Sequence, residues 1–311
     1  MTEAPAAETP KRKRRRRAAP APAPEPPPPP AVEAPEPAAE PRSALDTVHA
    51  VFWRSGLLNV AAVTRRELAA YFVSPVGWVV ACIFFLLVSV FGYLLSAVAA
   101  AQATMDGVFN VINNFLLLIL VPLLTMRLFA EERSTGTLEV LLTAPLRDWE
   151  AVLGKWLGAF LFYLGLIVLT LAYVGLLAYY VPTKITFHLA GYSLRVGSLD
   201  YGLLASTYVG MVLVGAAATA IGLLCSTLTR SQIIAFFLGM GLITFVWYAG
   251  SGLSVLVAEP YARFFQYIGG FNRYQSFTLG QIHLRDVAYF LSLTVGALFL
   301  ATRVLESRKW R

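Results

Sequence analysis

The sequence predicts an all-α integral membrane protein with six transmembrane helices, preceded by an interfacial helix and a disordered Pro-rich tail. Composition is the first reason: 57% of the 311 residues are hydrophobic and only 14% are charged, whereas soluble domains carry about 25% charged residues. Mean hydropathy is +0.64. The second reason is six apolar runs, approximately Val76–Ala97, Val108–Met126, Trp156–Tyr180, Gly202–Cys225, Ile233–Val257 and Val287–Val304. Each approaches the ~20 residues needed to cross a bilayer. The third is where the charge lies. Between the second and third runs stand Arg127, Glu131, Glu132, Arg133 and Glu139. At roughly 2.5–3.5 kcal/mol per charge at a helix centre, burying five in hydrocarbon would cost on the order of 12–17 kcal/mol. That stretch therefore belongs at a membrane surface.

Residues 1–44 hold thirteen of the eighteen prolines, mixed with Ala and Glu. No apolar periodicity is present, so the segment is expected to be a disordered tail. The basic run Lys11–Arg17 is followed by prolines instead of an apolar core, unlike a secretory signal. Its seven charges equal the chain's whole net charge of +7. The remainder is near neutral, which argues against nucleic acid as a partner. Anionic lipids are the expected partner of this tail, at about 1 kcal/mol per basic residue; a plain solubilising tail is the competing reading.

In residues 45–74, apolar positions such as Val60, Val63, Leu68, Tyr71 and Phe72 alternate with Arg54, Arg65, Arg66 and Glu67. One or two amphipathic helices at the interface, ending near Ser74-Pro75, fit this pattern. Residues 75–305 form the six-span domain, and 306–311 a basic end.

The second connection carries Arg127, Arg133, Arg147 and Lys155, the fourth Arg230, and the C-terminus Arg303, Arg308, Lys309 and Arg311. The positive-inside rule then places both termini in the cytoplasm, in a cell inner (cytoplasmic) membrane. The last outer loop opposes this with Arg263, Arg273 and Arg285. That loop, Ala258–Asp286, is long and aromatic, and reads as two short helices broken at Gly269-Gly270. It serves either as a structural aromatic belt or as a substrate-exit lid. Pro182–Asp200 alternates apolar and polar residues, as a small hairpin would.

Inside the spans, Asn110, Asn113 and Asn114 share one face at i, i+3 and i+4. They either line a pathway or anchor the outer end of the helix. The fourth span is rich in small residues (Gly210, Gly215 to Ala218, Ala220, Gly222), which permits close helix approach. No Asp, Glu, Lys or Arg lies near the middle of a span, which weighs against a proton- or ion-coupled carrier. Cys82 and Cys225 sit in apolar runs, no Cys/His spacing suggests a metal, and no GxxxxGK[ST] loop is present.

Three stretches resemble ABC-2 type transporter permeases. Phe129-Ala-Glu-Glu-Arg-Ser-Thr-Gly-Thr-Leu-Glu-Val-Leu-Leu-Thr-Ala-Pro145, followed by Leu153-Gly-Lys155, is similar to their cytoplasmic connection. Thr64-Arg-Arg-Glu-Leu-Ala-Ala-Tyr-Phe-Val-Ser-Pro-Val-Gly-Trp78 resembles the start of their first span. Gly222-Leu-Leu-Cys-Ser-Thr-Leu-Thr-Arg-Ser-Gln-Ile-Ile-Ala-Phe236 resembles the turn from span four to span five. The branch most resembled is the gliding-motility (GldF-like) permeases, and the likeness covers about residues 60–305.

The resemblance implies a half-transporter that pairs with a second permease subunit and two ABC ATP-binding subunits, with a periplasmic auxiliary protein as a further partner. ATP and Mg are expected in the ATP-binding subunit, no cofactor in this chain, and no catalytic residue here. Glu131, Glu132, Arg133, Gly136, Thr137 and Glu139 are implied to form a coupling helix seated on the ATPase. Gly136 would break two helical pieces and Pro145 end the second, while Asp148 would cap the third span. Export is the expected direction. The alternatives are a membrane anchor that transmits force to a motility or envelope machine, and a secondary carrier.

Overall fold

The computed structural model describes residues 56–98, 105–137, 146–180, 185–189, 192–196, 200–254, 258 and 261–308. Expectations on the tail, on Glu139 and on Pro145 fall outside these. The described residues all belong to one compact unit spanning Val48–Arg311.

Helix α1 covers Leu57–Val73 and stops at Ser74, whose backbone is extended as the following proline requires. Helix α2, Pro75–Leu87, continues into wider π-helical turns over Val88–Val98. The second span is assembled from α3 (Asp106–Val111), a π-helical stretch Ile112–Leu120, and α4 (Val121–Thr125). After Met126 comes α5, Arg127–Ser134. The third span is α6 (Asp148–Leu169) followed by α7 (Leu171–Tyr180). Strands β1 (Ile185–Leu189) and β2 (Tyr192–Val196) pair antiparallel, with Ile185 opposite Val196. The alternation in that loop is thus read correctly, and the hairpin is the one departure from helix among the described elements.

The fourth and fifth spans are α8 (Tyr201–Leu228) and α9 (Gln232–Tyr248), the latter extended by π-turns over Ala249–Leu253. Helices α10 (Tyr261–Ile268) and α11 (Gly270–Thr278) follow, separated at Gly269 as the sequence predicts. The last span is α12, Leu284–Arg308. Six of these helical stretches are long and apolar enough to cross a membrane.

The core is organised on α8. Its apolar stretch is 78% buried, whereas those of α2, α6–α7, α9 and α12 are about one-third buried or less. Small residues are the reason. A Cβ added at Gly215 would lie 2.0 Å from the Tyr163 ring, at Gly222 2.1 Å from the Thr125 hydroxyl, and at Gly210 2.8 Å from Phe277. Helices α6, α4 and α11 therefore reach the α8 backbone closely, which is how membrane helices gain contact in the absence of a hydrophobic drive. Hydrogen bonds fix the seams. Tyr163 donates to the Met211 carbonyl at 3.1 Å, and Trp156 Nε1 donates to the Thr219 hydroxyl at 3.1 Å.

Candidate functional site: a charged elbow beneath the second span

Helix α5 is where the second span leaves its apolar phase. Leu128, Phe129 and Ala130 are buried, and Glu131 is exposed. A helix that starts afresh leaves its first N–H groups without intrahelical partners. Here Ser226, at the end of α8, takes two of them: its hydroxyl accepts from the Phe129 and Ala130 N–H groups at 3.0 and 3.1 Å. The same hydroxyl donates to the Met126 carbonyl at 2.9 Å. One serine thus satisfies both sides of the break. The far end of α5 closes on Thr135, whose N–H and hydroxyl both reach the Glu131 carbonyl at 3.0 Å. Gly136 follows with φ +76°, the left-handed conformation that ends many helices and that glycine adopts without penalty.

Arg133 is turned inward. Its Nη1 donates to the Thr227 and Thr229 carbonyls at 3.0 and 2.9 Å. These carbonyls lie at the C-terminus of α8, where a cation also meets the negative end of the helix dipole. Glu132 is likewise committed inside the chain. Lys155, only 1% exposed, donates to Glu132 at 2.8 Å and to Glu67 at 3.0 Å. Arg66, half-exposed, closes the group from the other side, at 2.7 Å from Glu67 and 3.2 Å from Glu132. Two cations and two carboxylates from α1, α5 and α6 therefore form one neutral cluster. Burial pushes the Glu67 carboxyl up, but the Lys155 charge and the bonds from Arg66 and Lys155 outweigh it, so the group titrates below the ordinary glutamate range. The bond to Glu67 in turn raises Arg66.

Helix α1 can approach this closely because α6 presents Gly154 and Gly158 to it. A Cβ at either would stand 2.6 Å from Val63 or Glu67. The Thr64 hydroxyl bridges across, with the Gly154 carbonyl at 3.2 Å. Tyr71 donates to the Leu124 carbonyl at 2.7 Å, and the Arg127 guanidinium lies 4.6 Å from the centre of its ring. A cleft of about 480 Å³ opens beside the cluster, lined by Glu67, Arg127, Glu131, Glu132, Thr137 and Lys155 among others. The second oxygen of Glu132 is buried there with no hydrogen-bond partner among the described residues.

Of the residues picked out in the sequence, Glu131, Gly136 and Thr137 are exposed, whereas Glu132 and Arg133 bind within the chain. Glu131 is thus the most exposed of the three charges, and Glu132 and Arg133 are half-buried. The capping role of Asp148 is corrected. Arg147 holds the N-cap position, its N–H donating to the Glu150 carboxylate at 3.2 Å. Asp148 is the first helical residue, where its charge still faces the positive end of the helix. Lys155, Glu67 and Arg66 escaped the sequence reading as a cluster: apart from the adjacent Arg66–Glu67 pair, their partners lie 23 to 88 residues away. The G-x-x-x-G spacing of Gly154 and Gly158 was the available signal.

The three asparagines separate. The π-turns that begin at Ile112 rotate Asn113 into the core, while Asn110 is exposed. Asn114 donates to the Asn110 carbonyl at 3.0 Å and meets the Tyr248 hydroxyl, tying the second span to the fifth.

The described residues thus form a polytopic helical bundle whose second span ends in a charged, internally pinned elbow. The chain belongs to a known family: residues 102–302 match the model for "ABC-2 family transporter protein". It is thus a membrane permease of an ABC transporter and not the ATPase, and ATP-binding subunits are the general partners of such permeases. No curated protein matches the chain.

Proposed function

We propose that this chain couples ATP hydrolysis in a partner to movement of a substrate across the inner membrane, acting as an exporter. It pairs with a second permease and two ATP-binding subunits, both termini lying in the cytoplasm. ATP and Mg belong to those subunits. The observation that carries the reading is the construction of α5. Its inner face is bonded to α1, α6 and α8, and Glu131 on its outer face, with Gly136 and Thr137 just beyond its end, is exposed. A push on the exposed face would therefore move three helices together. For that push to shift an inward–outward equilibrium, the docked contacts must differ between the two states. Glu139 completes the docking surface, and Asn114, meeting the Tyr248 hydroxyl, braces the second span against the fifth, with Asn110 and Asn113 beside it on the pathway.

The gliding-motility type of permease is the branch favoured by the motifs, with force transmission to an envelope machine as its variant. A periplasmic auxiliary protein and anionic lipids at Lys11–Arg17 complete the assembly.

The test is co-purification with its ATP-binding subunit. Glu131→Arg is expected to weaken association about tenfold, since reversing a charge at an interface juxtaposes like charges, while membrane insertion stays intact. Undiminished recovery of the ATPase with Glu131→Arg would sink the proposal.

A further inference from the structure

Three stretches of π-helix occur among the described residues: Val88–Val98, Ile112–Leu120 and Ala249–Leu253. The first and third end spans that begin beside the elbow, where Tyr71 bonds the Leu124 carbonyl and Arg133 the Thr229 carbonyl. The second lies in the span that runs down to the elbow. All three therefore belong to the half of the bundle away from α5. They also press on their neighbours: a Cβ at Gly92 would stand 2.9 Å from the Val108 Cα, and one at Gly250 3.0 Å from the Gly269 Cα. By contrast, α8 and α12 run as unbroken α-helix through 28 and 25 residues. Wider turns of this kind are rare and frequently mark functional sites.

Polar contacts at this end are unevenly met. Asn113 and Asn114 are adjacent in the second stretch, and each faces a phenol. Asn114 meets the Tyr248 hydroxyl. Asn113, buried, lies beside Tyr274 on α11, yet the Tyr274 hydroxyl has no hydrogen-bond partner among the described residues. The Trp247 indole N–H, its ring centre 5.7 Å from that of Tyr274, is likewise unpartnered among them. A buried hydroxyl left so bears its full desolvation cost. A conformation that satisfied Tyr274 and released Tyr248 would form the same number of phenol–amide bonds, so the two are close in energy. The winding supplies such a conformation. A π-turn holds about one residue more than an α-turn, and one residue is about 100° of α-helix.

We propose that Ile112–Leu120 is a winding switch: in a second conformation one of its π-turns closes as α, the outer part of the second span turns by about 100°, and Asn114 passes from Tyr248 to Tyr274. Each residue from Asp106 to Asn114 then takes the direction its predecessor has now. The switch goes beyond the coupling function and does not depend on it, since it belongs to this chain alone and no ATP-binding subunit takes part.

The experiment uses the full chain in nanodiscs, with Cys82→Ala, Cys225→Ala and one reporter cysteine whose rate of maleimide modification is measured. The turn carries Val111→Cys to the direction Asn110 now has, which is exposed, and Asp106→Cys to the side where Met105 is now buried. Tyr248→Phe removes the bond that holds Asn114 in the present winding, so it is expected to move the ratio of the two windings about fivefold toward α. Val111→Cys then reacts faster and Asp106→Cys more slowly. Tyr274→Phe shifts both rates the other way, and Tyr248→Phe with Tyr274→Phe cancels the shift. Deleting Ile119, an exposed residue inside the stretch, gives the α-wound rates for reference. Unchanged rates in Tyr248→Phe would overturn the proposal, and so would a rise in both, which marks a merely loosened helix. Should the deletion fail to fold, the tyrosine variants, which keep every residue of the span, decide by the same opposite signs.

Discussion

Lys155→Met offers the sharpest test of how the elbow is held. Methionine fills the same length of apolar space beside Phe129, whose ring centre lies 5.1 Å from the Lys155 ammonium, so packing is nearly conserved and charge is what changes. Removing one partner of a buried ion pair costs about 3–5 kcal/mol, because the other charge is stranded. Here two carboxylates are stranded, Glu67 and Glu132, but neither is fully sealed: their side chains are 14% and 19% exposed. Arg66 also remains, at 2.7 and 3.2 Å. The expected loss is therefore at the lower end, about 3 kcal/mol. Pulse proteolysis across a denaturant series, in detergent, gives that free energy directly.

The same geometry predicts non-additivity. Glu132→Gln alone leaves Lys155 bonded to Glu67, so its cost is about 1–2 kcal/mol. With Glu132 already neutral, Lys155→Met strands one carboxylate instead of two. The double variant should then be more stable than the sum of the singles by at least 1 kcal/mol, as residues in one network behave. Additive losses, or a Lys155→Met cost below about 1 kcal/mol, would show that the cluster is an accident of the surface and that α5 is held by Ser226 and Arg133 alone.

Ser226→Ala removes the acceptor for two buried N–H groups and the donor to the Met126 carbonyl, so it should cost about 1–3 kcal/mol; Ser226→Thr, which keeps the hydroxyl, should recover part of it in the same assay. The Glu67 carboxyl supplies a pH dependence. Its folded pKa lies below the unfolded value of about 4.3, so its contribution is complete above that value and is lost as pH falls through the lowered one. Melting temperature should drop more steeply below about pH 4.3 in the wild type than in Glu67→Gln, and parallel curves would contradict this.

Spans were legible because each is a local property, about twenty apolar residues with no charge among them. The break at Gly269 was legible for a similar reason: glycine interrupts an aromatic helical pattern, and α10 and α11 meet there. The left-handed turn at Gly136 belongs with them. What stayed hidden was pairwise. Arg66 and Glu132 are 66 positions apart, and Lys155 and Glu67 are 88 apart; no periodicity joins residues on three different helices. Arg133 is bonded to carbonyls at the C-terminus of α8, partners that a sequence does not locate in space. Likewise Arg273 of the α10–α11 region is paired with Asp286, 13 positions further on, a partner that no local pattern singles out.

These hidden pairs also bear on how a displacement of α5 could spread. A salt bridge at the surface yields easily, because each charge can return to water. Lys155 cannot, being buried, and neither can the Ser226 hydroxyl, which completes three backbone groups at once. Any motion imposed on α5 therefore carries the end of α8 with it before those bonds break. Helix α8 is packed against α4, α6 and α11 through glycines that leave no slack at their contacts, and such interfaces shift as discrete rearrangements instead of bending gradually. On the proposed reading, the small residues of the fourth span do more than permit tight packing: they make the displacement of α5 reach α11, at the opposite end of the bundle.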